Sequence, residues 1–502
     1  MSISRRYFFY GPLLAGAVPA AGFGSVPSLR ALGYKPFYNK LNMAAIGCGG
    51  RGAVILGEAA ATENIVALCD VDAKRGDEGI KKFEKAPLYR DYRTLLDKEG
   101  KNIDAVTIAI PDFMHATVAL ACMQRGIHVY LEKPLTRTAW EARLLADAAV
   151  KYKVATQMGN QGFSHESHRV AAEMVWSGAI GDVPEVHVCT TPGTHPTALQ
   201  TLPPEESVPD TLNWQAWLGN APMRPYSSYY VPYNWRGFYD FGTGQIGNWA
   251  THAAGPVHHA LQLGAPTSVE CISQNGSSKL TFPNRATIRL DFPARGGMPA
   301  VKVFYHDSAR STDPEVYHVP GMENEGILPP PNNLTKKGRP MGSGREPDAP
   351  RPAAAPRGQR RGSGGAGVKV FGEERTAPQT GLLTGNGAVF IGTKGIMATV
   401  ERGEGVWLLP AARWAEYVLP PQLLTRSPGH MADFVRAAKG GDAACSNFTI
   451  SGPYAEWLAL AALAFRVPGK LDWDSKNMRF TNSAEANRLV KPVVRPGWEL
   501  KL

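Results

Sequence analysis

Asn42-Met43-Ala44-Ala45-Ile46-Gly47-Cys48-Gly49-Gly50-Arg51-Gly52 reads as a short apolar strand running into a glycine-rich turn, and a helix pattern follows from Ala53 to Ala61. The glycines fall as Gly47-x-Gly49-x-x-Gly52. In a strand–turn–helix unit the first allows the tight turn and the second lets the backbone approach a pyrophosphate. The third lets the helix pack close to the strand. The turn, with Gly50 and Arg51, would present phosphates to the helix N-terminus, where unpaired N–H groups and the positive dipole end favour anions. In a chain with 53 glycines the motif alone is weak. Its context strengthens it: the next apolar run, Ile65 to Cys69, ends in Asp70, at the spacing where a carboxylate meets the adenosine ribose hydroxyls. An acid there repels a 2′-phosphate, so the cofactor expected is NAD rather than NADP.

The units that follow keep the β-α alternation. Ile103 to Ile110 is a nearly continuous apolar strand, as in a parallel sheet covered on both faces. It leads into Pro111-Asp112-Phe113-Met114-His115 and a helix. Ile127 to Leu131 is the next strand, followed by Glu132-Lys133-Pro134, a helix from Arg137 to Lys151 and a strand from Val154 to Gly159. This alternation predicts a Rossmann dinucleotide-binding domain over residues 36–158.

In this order and spacing, Gly47-x-Gly49-x-x-Gly52, Asp70, Pro111-Asp112-x-x-His115 and Glu132-Lys133-Pro134 resemble the Gfo/Idh/MocA family of NAD(P)-dependent oxidoreductases. The resemblance runs over most of the chain from about residue 40. It implies that Lys133 lies at the nicotinamide and the substrate hydroxyl, and that Pro111, Asp112, His115, Glu132 and Gln161 belong to the cofactor site. Chemistry gives Lys133 a role independently. It follows a strand at the carboxyl edge of the sheet, where open α/β folds bind ligands. A buried lysine beside oxidised nicotinamide has its pKa lowered by desolvation and by like charge, and can then take a hydroxyl proton.

Beyond residue 159 the pattern changes to runs of strands with helices set to one side. The expectation is an α+β domain over 159–468 with a large open, mainly antiparallel sheet. The resemblance implies that the substrate lies between this sheet and the nicotinamide, and that the open sheet serves as a subunit interface. Trp214 to Phe241 is dense in aromatics, which suit the C–H faces of sugar rings as well as core packing. The stretch Gly242 to His252 resembles the family's glycine-rich turn into a helix bearing an Asp and, four residues later, a catalytic His. Four-residue spacing places both on one helix face. His252 matches the histidine, a general-base candidate with an ordinary pKa near 6.5. The Asp position is Asn248, which can hydrogen-bond a hydroxyl but cannot take a proton. Catalysis is therefore assigned to Lys133 and His252, and substrate binding to Asn160, Trp235, Arg236, Tyr239, Asn248 and His252. His258 and His259 read as structural.

Three segments stand apart. Ser4-Arg5-Arg6-Tyr7-Phe8-Phe9, followed by a short Ala- and Gly-rich apolar run, resembles a Tat export signal within a leader and linker of residues 1–35. Residues 328–368 are rich in Pro, Gly and Arg, a composition that cannot bury a core and reads as a mobile insert. Residues 469–502 read as a tail packed on the fold. The net charge of +10 lies largely in the insert and the leader, so no nucleic-acid site is read. The six scattered cysteines signal neither a zinc site nor a disulfide framework, so no metal is expected. No run after the leader is long enough for a stable membrane span.

Together these point to an NAD-dependent oxidoreductase acting on a sugar, polyol or glycoside, exported to the periplasm or secreted, with the cytoplasm as the alternative location. Export away from a NAD pool calls for a tightly held cofactor and a closed redox cycle. The alternatives are a redox-neutral, NAD-dependent glycoside hydrolase and a non-catalytic sugar-binding protein on the same fold. The resemblance also implies a homo-oligomer.

Overall fold

The computed structural model describes residues 39–309, 316–328 and 381–502. The leader, and all but the first residue of the basic insert, lie outside them.

The N-terminal sheet is parallel throughout and has the order β3-β2-β1-β4-β5-β6. Its strands are β1 Asn42–Ile46, β2 Asn64–Cys69, β3 Leu88–Tyr89, β4 Ala105–Ile108, β5 His128–Leu131 and β6 Thr156–Met158. β4 is buried at every position, as its unbroken apolar run requires. The strand order reverses between β1 and β4, and there the crevice at the carboxyl ends of the strands opens. The glycine turn after β1 and the Pro111 loop after β4 face each other across this switch point. The Glu132-Lys133-Pro134 turn follows β5 on the same edge.

The helices stop and start for identifiable reasons. Thr138 and Glu141 form a reciprocal cap at the start of helix Ala139–Tyr152. Asp72 accepts N–H bonds from Lys74 and Arg75 to begin helix Ala73–Lys82. The helix after the glycine turn, Arg51–Ala60, has neither device. Gly50 stands at its N-cap with φ 56°, contributes no side-chain cap, and no acid lies in the first turn.

The second sheet has nine strands in the order β13-β12-β11-β7-β10-β9-β8-β14-β15. They are β7 Glu185–Cys189, β8 Ser268–Asn275, β9 Arg285–Phe292, β10 Val301–Asp307, β11 Gly387–Gly392, β12 Gly395–Val400, β13 Gly405–Leu409, β14 Lys470–Asp474 and β15 Arg479–Phe480. All neighbours are antiparallel except β7 and β10. The C-terminal segment thus builds part of the sheet: Leu471 of β14 pairs with Val269 of β8.

Helix Phe448–Ala464 joins the two halves. The apolar pattern of the sequence predicts it only from Ala455 to Phe465. It begins seven residues earlier, capped by Asn447, and contains Pro453. Burial explains this. The helix is apolar on nearly all sides and lies between helix Ala139–Tyr152 and strands β8 and β9. A bidentate pair, Arg143 to Glu456 at 2.7 and 2.8 Å, ties the two helices together. Just before it, Ser446 hydrogen-bonds the Asn160 side chain at 2.6 Å, and its N–H reaches Gln157 Oε1 at 3.0 Å. The chain's return therefore locks the end of β6. Among the described residues no helix is long and apolar enough to cross a membrane.

Candidate active site

A cavity of about 770 Å³ runs from the glycine turn to His252 between the two domains. Its nucleotide end is made by backbone. Gly47 has φ 89°, and a Cβ there would lie 2.2 Å from the carbonyl oxygen of Ala109; a Cβ on Gly52 would lie 2.1 Å from that of Gly47. Only glycines allow β1, the helix and β4 to meet so closely. The amides of Gly50 and Arg51 have no partner among the described residues. They are thus available to a pyrophosphate at an uncapped helix N-terminus.

Asp70 lines the same end. Its Oδ2 accepts the Cys48 N–H at 2.8 Å and its Oδ1 the Asp72 N–H at 3.0 Å. Each oxygen retains a lone pair for a ribose hydroxyl. Burial raises its pKa, and these two bonds oppose the rise. The residues present therefore fit NAD, with Gly47 to Gly52 and Asp70 as its holders.

The middle of the cavity is braced by charge. Glu132 Oε1 accepts from Arg51 Nε at 2.8 Å and from Gln161 Nε2 at 3.2 Å; Oε2 accepts the backbone N–H of Lys133 at 3.2 Å. The carboxylate therefore holds the glycine-turn arginine rather than the lysine's amine. Asp112 is buried and accepts the Thr243 hydroxyl at 2.6 Å, and desolvation raises its pKa. His115 sits behind the wall. Its Nδ1 is 2.7 Å from the carbonyl oxygen of Pro134 and its Nε2 2.8 Å from that of Ile110, which staples the two ligand-facing turns together.

At the far end Lys133 Nζ donates to Asn248 O at 2.8 Å and Asn248 Oδ1 at 3.1 Å. The Asn248 amide is oriented by donating to Tyr233 OH and Gln245 Oε1, each at 3.3 Å. Desolvation lowers the Lys133 pKa to about 8; Glu132 opposes this and Arg236 adds to it. A neutral asparagine at 248 offers no charge to restore it.

His252 lies beside them with Nδ1 buried and without a partner among the described residues. Burial first, then the charge of Lys133, pushes its pKa well below 6.5. Burial thus disfavours the charged form of a ring that the sequence leads one to expect near its ordinary pKa. Asn248 and His252 reach the cavity together, but not from an α-helix as expected. Ile246–Ala250 is a π-helical turn, with α-helix resuming only at Thr251.

The aromatic stretch divides. Trp217, Tyr233 and Trp235 line the cavity. Trp214, Tyr230, Phe238 and Phe241 pack on one another and on Arg224. Tyr239 and Asn160 are not brought to the cavity. Tyr239 packs on Phe282 under Arg466, and Asn160 is buried against Ser446. His258 accepts from Trp457 and stacks on Tyr454, a packing role as read from the sequence. Sequence reasoning missed His165, Arg402 and Glu404. Burial lowers the His165 pKa to about 4. Arg402 and Glu404 come from the turn between β12 and β13, and no local signal in the chain marks them.

Fold and site define a protein with a Rossmann NAD-binding half and a second half built on an open, mainly antiparallel sheet. The comparison with known families makes this specific. Residues 41–160 match the NAD-binding Rossmann fold of the Gfo/Idh/MocA oxidoreductase family, and residues 174–279 match that family's C-terminal α/β domain. The two matches follow one another along the chain in the order of the two domains.

Inositol 2-dehydrogenase of Salmonella typhimurium is 30% identical over 125 residues, 24% of this chain and 37% of that protein. Glycosyl hydrolase family 109 protein 2 of Akkermansia muciniphila is 32% identical over 164 residues, 30% of this chain and 34% of that one. The alignments thus span about a third of the length of these curated relatives. The WlbA dehydrogenase of Bordetella pertussis, solved with NADH and UDP-GlcNAcA, superposes with a TM-score of 0.53 at 13% identity, covering 87% of this chain and 99% of that one. That likeness establishes the shared fold.

Proposed function

We propose that this protein is an NAD-dependent oxidoreductase that takes hydride from a carbinol carbon of a sugar, polyol or glycoside, with its cofactor tightly held. The observation that carries this is the Lys133 amine, lowered to about 8 and held by Asn248 in a cavity continuous with the glycine turn. NAD, when bound, accepts the hydride. The chain's own residues do the rest. Lys133 takes the hydroxyl proton, His252 hydrogen-bonds as a neutral ring, and Trp217, Tyr233 and Trp235 wall the sugar. The names of relatives such as inositol 2-dehydrogenase support a polyol or sugar as substrate.

The twin-arginine pattern at Arg5 and Arg6 supports export, and export supports a captive cofactor and a closed redox cycle. The open face of the nine-stranded sheet would then join copies of the chain, which sedimentation would test. A second reading is redox-neutral glycoside hydrolysis, in which a transient ketone acidifies the neighbouring C–H, the aglycone leaves, water adds and the ketone is reduced again. The likeness to the glycosyl hydrolase over 164 residues, and Asn248 in place of an aspartate, favour keeping it.

Denaturing the purified mature protein and identifying the released nucleotide by mass and absorbance tests the captive cofactor. Stoichiometric NAD or NADH is expected; an empty protein that binds added NAD weakly would overturn it. Free sugars and nitrophenyl glycosides, assayed side by side, separate the two reactions: a keto product marks the oxidoreductase, a freed nitrophenol the hydrolase.

A further inference from the structure

One cation at the substrate end of the cavity, Arg236, is held by aromatic rings rather than by a carboxylate. Arg236 stands on the short turn Asn234–Gly237. Its guanidinium carbon lies 4.3 Å from the centre of the Trp235 ring and 4.4 Å from that of Tyr233. The two rings fix the guanidinium in place. Among the described residues its side chain makes one hydrogen bond, from Nη1 to the carbonyl oxygen of Tyr233 at 3.3 Å, and no ion pair.

Most other arginines packed into this molecule are satisfied by a carboxylate or by two or more carbonyl oxygens, as Arg90, Arg137 and Arg295 are. Arg51 is bound to Glu132, Arg143 to Glu456 and Arg426 to both Glu166 and Glu173. Arg236 lines the cavity, and none of its nitrogens is among the sealed, unpartnered polar atoms. Its free N–H groups therefore open onto the ligand space. The carboxylate that acts on it most, Asp112, already holds the Thr243 hydroxyl.

A second cation reaches the cavity on the β12–β13 turn. Arg402 lies over the Trp249 ring at 5.4 Å and is only loosely paired, 3.7 Å from Glu404. With Lys133, and with Arg51 and Arg75 at the nucleotide end, five basic side chains line the cavity. The hydroxyls of a neutral sugar can accept its N–H groups but bring no opposite charge, and leaving a guanidinium without a counter-charge in a desolvated place is costly. A planar fork with free N–H groups matches the two oxygens of a carboxylate.

We propose that Arg236 is a specificity residue for an acidic sugar, a uronic acid or a glycoside bearing a carboxylate, which the guanidinium takes bidentately while Arg402 adds positive charge. This rests on the oxidoreductase reading of the same cavity. The cofactor pyrophosphate is the other oxyanion within the cavity, but the free amides of Gly50 and Arg51 already provide for it.

The test uses the full mature protein loaded with NAD. Binding of glucuronate and galacturonate is measured by calorimetry against their methyl esters and against glucose and galactose, and nicotinamide reduction is followed in parallel. At least one acid is expected to bind roughly ten- to a hundredfold tighter than its own ester, the range for hydrogen bonds to a charged group. Arg236→Gln should erase that preference and leave NAD affinity unchanged, with Arg236→Lys restoring part of it.

Equal binding of acid and ester, or binding of none of the acids, overturns the proposal. So does an Arg236→Gln protein that loses NAD affinity while keeping the acid-to-ester ratio, which would assign the arginine to the pyrophosphate. If Arg236→Gln fails to fold, the acid-to-ester ratio of the unaltered protein and of Arg402→Gln decides. Failure to bind NAD, or to reduce it with any sugar, neutral or acidic, would instead bring down the oxidoreductase reading.

Discussion

Replacing Asn248 by aspartate should move the ionisation of Lys133 without moving its atoms. The Asn248 Oδ1 lies 3.1 Å from Lys133 Nζ, and a carboxylate oxygen can occupy the same position carrying a negative charge. In the present protein burial holds the amine at about 8. An opposite charge at this range raises a lysine pKa by roughly one to three units, each unit being about 1.4 kcal/mol. The variant's amine should therefore titrate between about 9 and 11. At pH 7 the neutral fraction falls from about one in ten to one in a hundred or less.

Two assays read this. Labelling of Lys133 by an amine-specific reagent across pH, quantified by mass spectrometry, gives the pKa directly and needs no substrate. The pH profile of kcat/KM for sugar-dependent nicotinamide reduction should rise through an inflection near 8, and Asn248→Asp should shift that inflection upward by at least about one unit. An unchanged inflection in both assays would refute the claim that the missing carboxylate sets the lysine's poise.

Other consequences are equally specific. Lys133→Met should stabilise the protein at pH 7 by up to about 3 kcal/mol in denaturant titrations, less what the lost Asn248 hydrogen bonds contributed. The folded state disfavours the charged lysine, a penalty fully present below about pH 8 and gone as pH rises through 10.5, so the gain should shrink toward zero by then. His252→Asn should lower turnover but leave the basic inflection near 8 in place, because the buried ring does not titrate there; its disappearance in the pH profile would reverse the assignment. Arg143→Ala leaves Glu456 buried without its partner and should cost about 3 kcal/mol, seen as a lowered thermal midpoint. Gly47→Ala forces a Cβ to 2.2 Å from a backbone oxygen at positive φ, and should lower both stability and NAD affinity, measured by thermal unfolding with and without NAD.

The Rossmann half was legible because its signals are local. A strand buried on both faces reads as an unbroken apolar run, as at β4, and a backbone that must touch another backbone reads as glycine, as at Gly47 and Gly52. Lys133 was legible for the same reason, since its place follows from the strand that precedes it. The far end of the cavity was less so. Arg402 arrives from a turn well over two hundred residues further along, and nothing near Glu401-Arg402-Gly403-Glu404 distinguishes it from any surface hairpin. The π-helical turn at Ile246–Ala250 and the early start of helix Phe448–Ala464 depend on tertiary packing that overrides local propensity. Tyr239 shows the limit of composition: the sequence offers a row of aromatics, and only the structure tells which face the cavity and which fill the core. The displaced pKa of His252 is likewise a product of burial and of charges from distant segments.

The most direct test of the account is single-turnover hydride transfer. The purified protein with NAD bound is mixed with neutral and acidic sugars and their glycosides, and reduced nicotinamide is followed by its absorbance and fluorescence. The account predicts a substrate-dependent rise in reduced nicotinamide, lost in Lys133→Ala while that variant still binds NAD. NAD bound normally with no spectral change and no aglycone released from any substrate, or a Lys133→Ala protein as active as the parent, would contradict it.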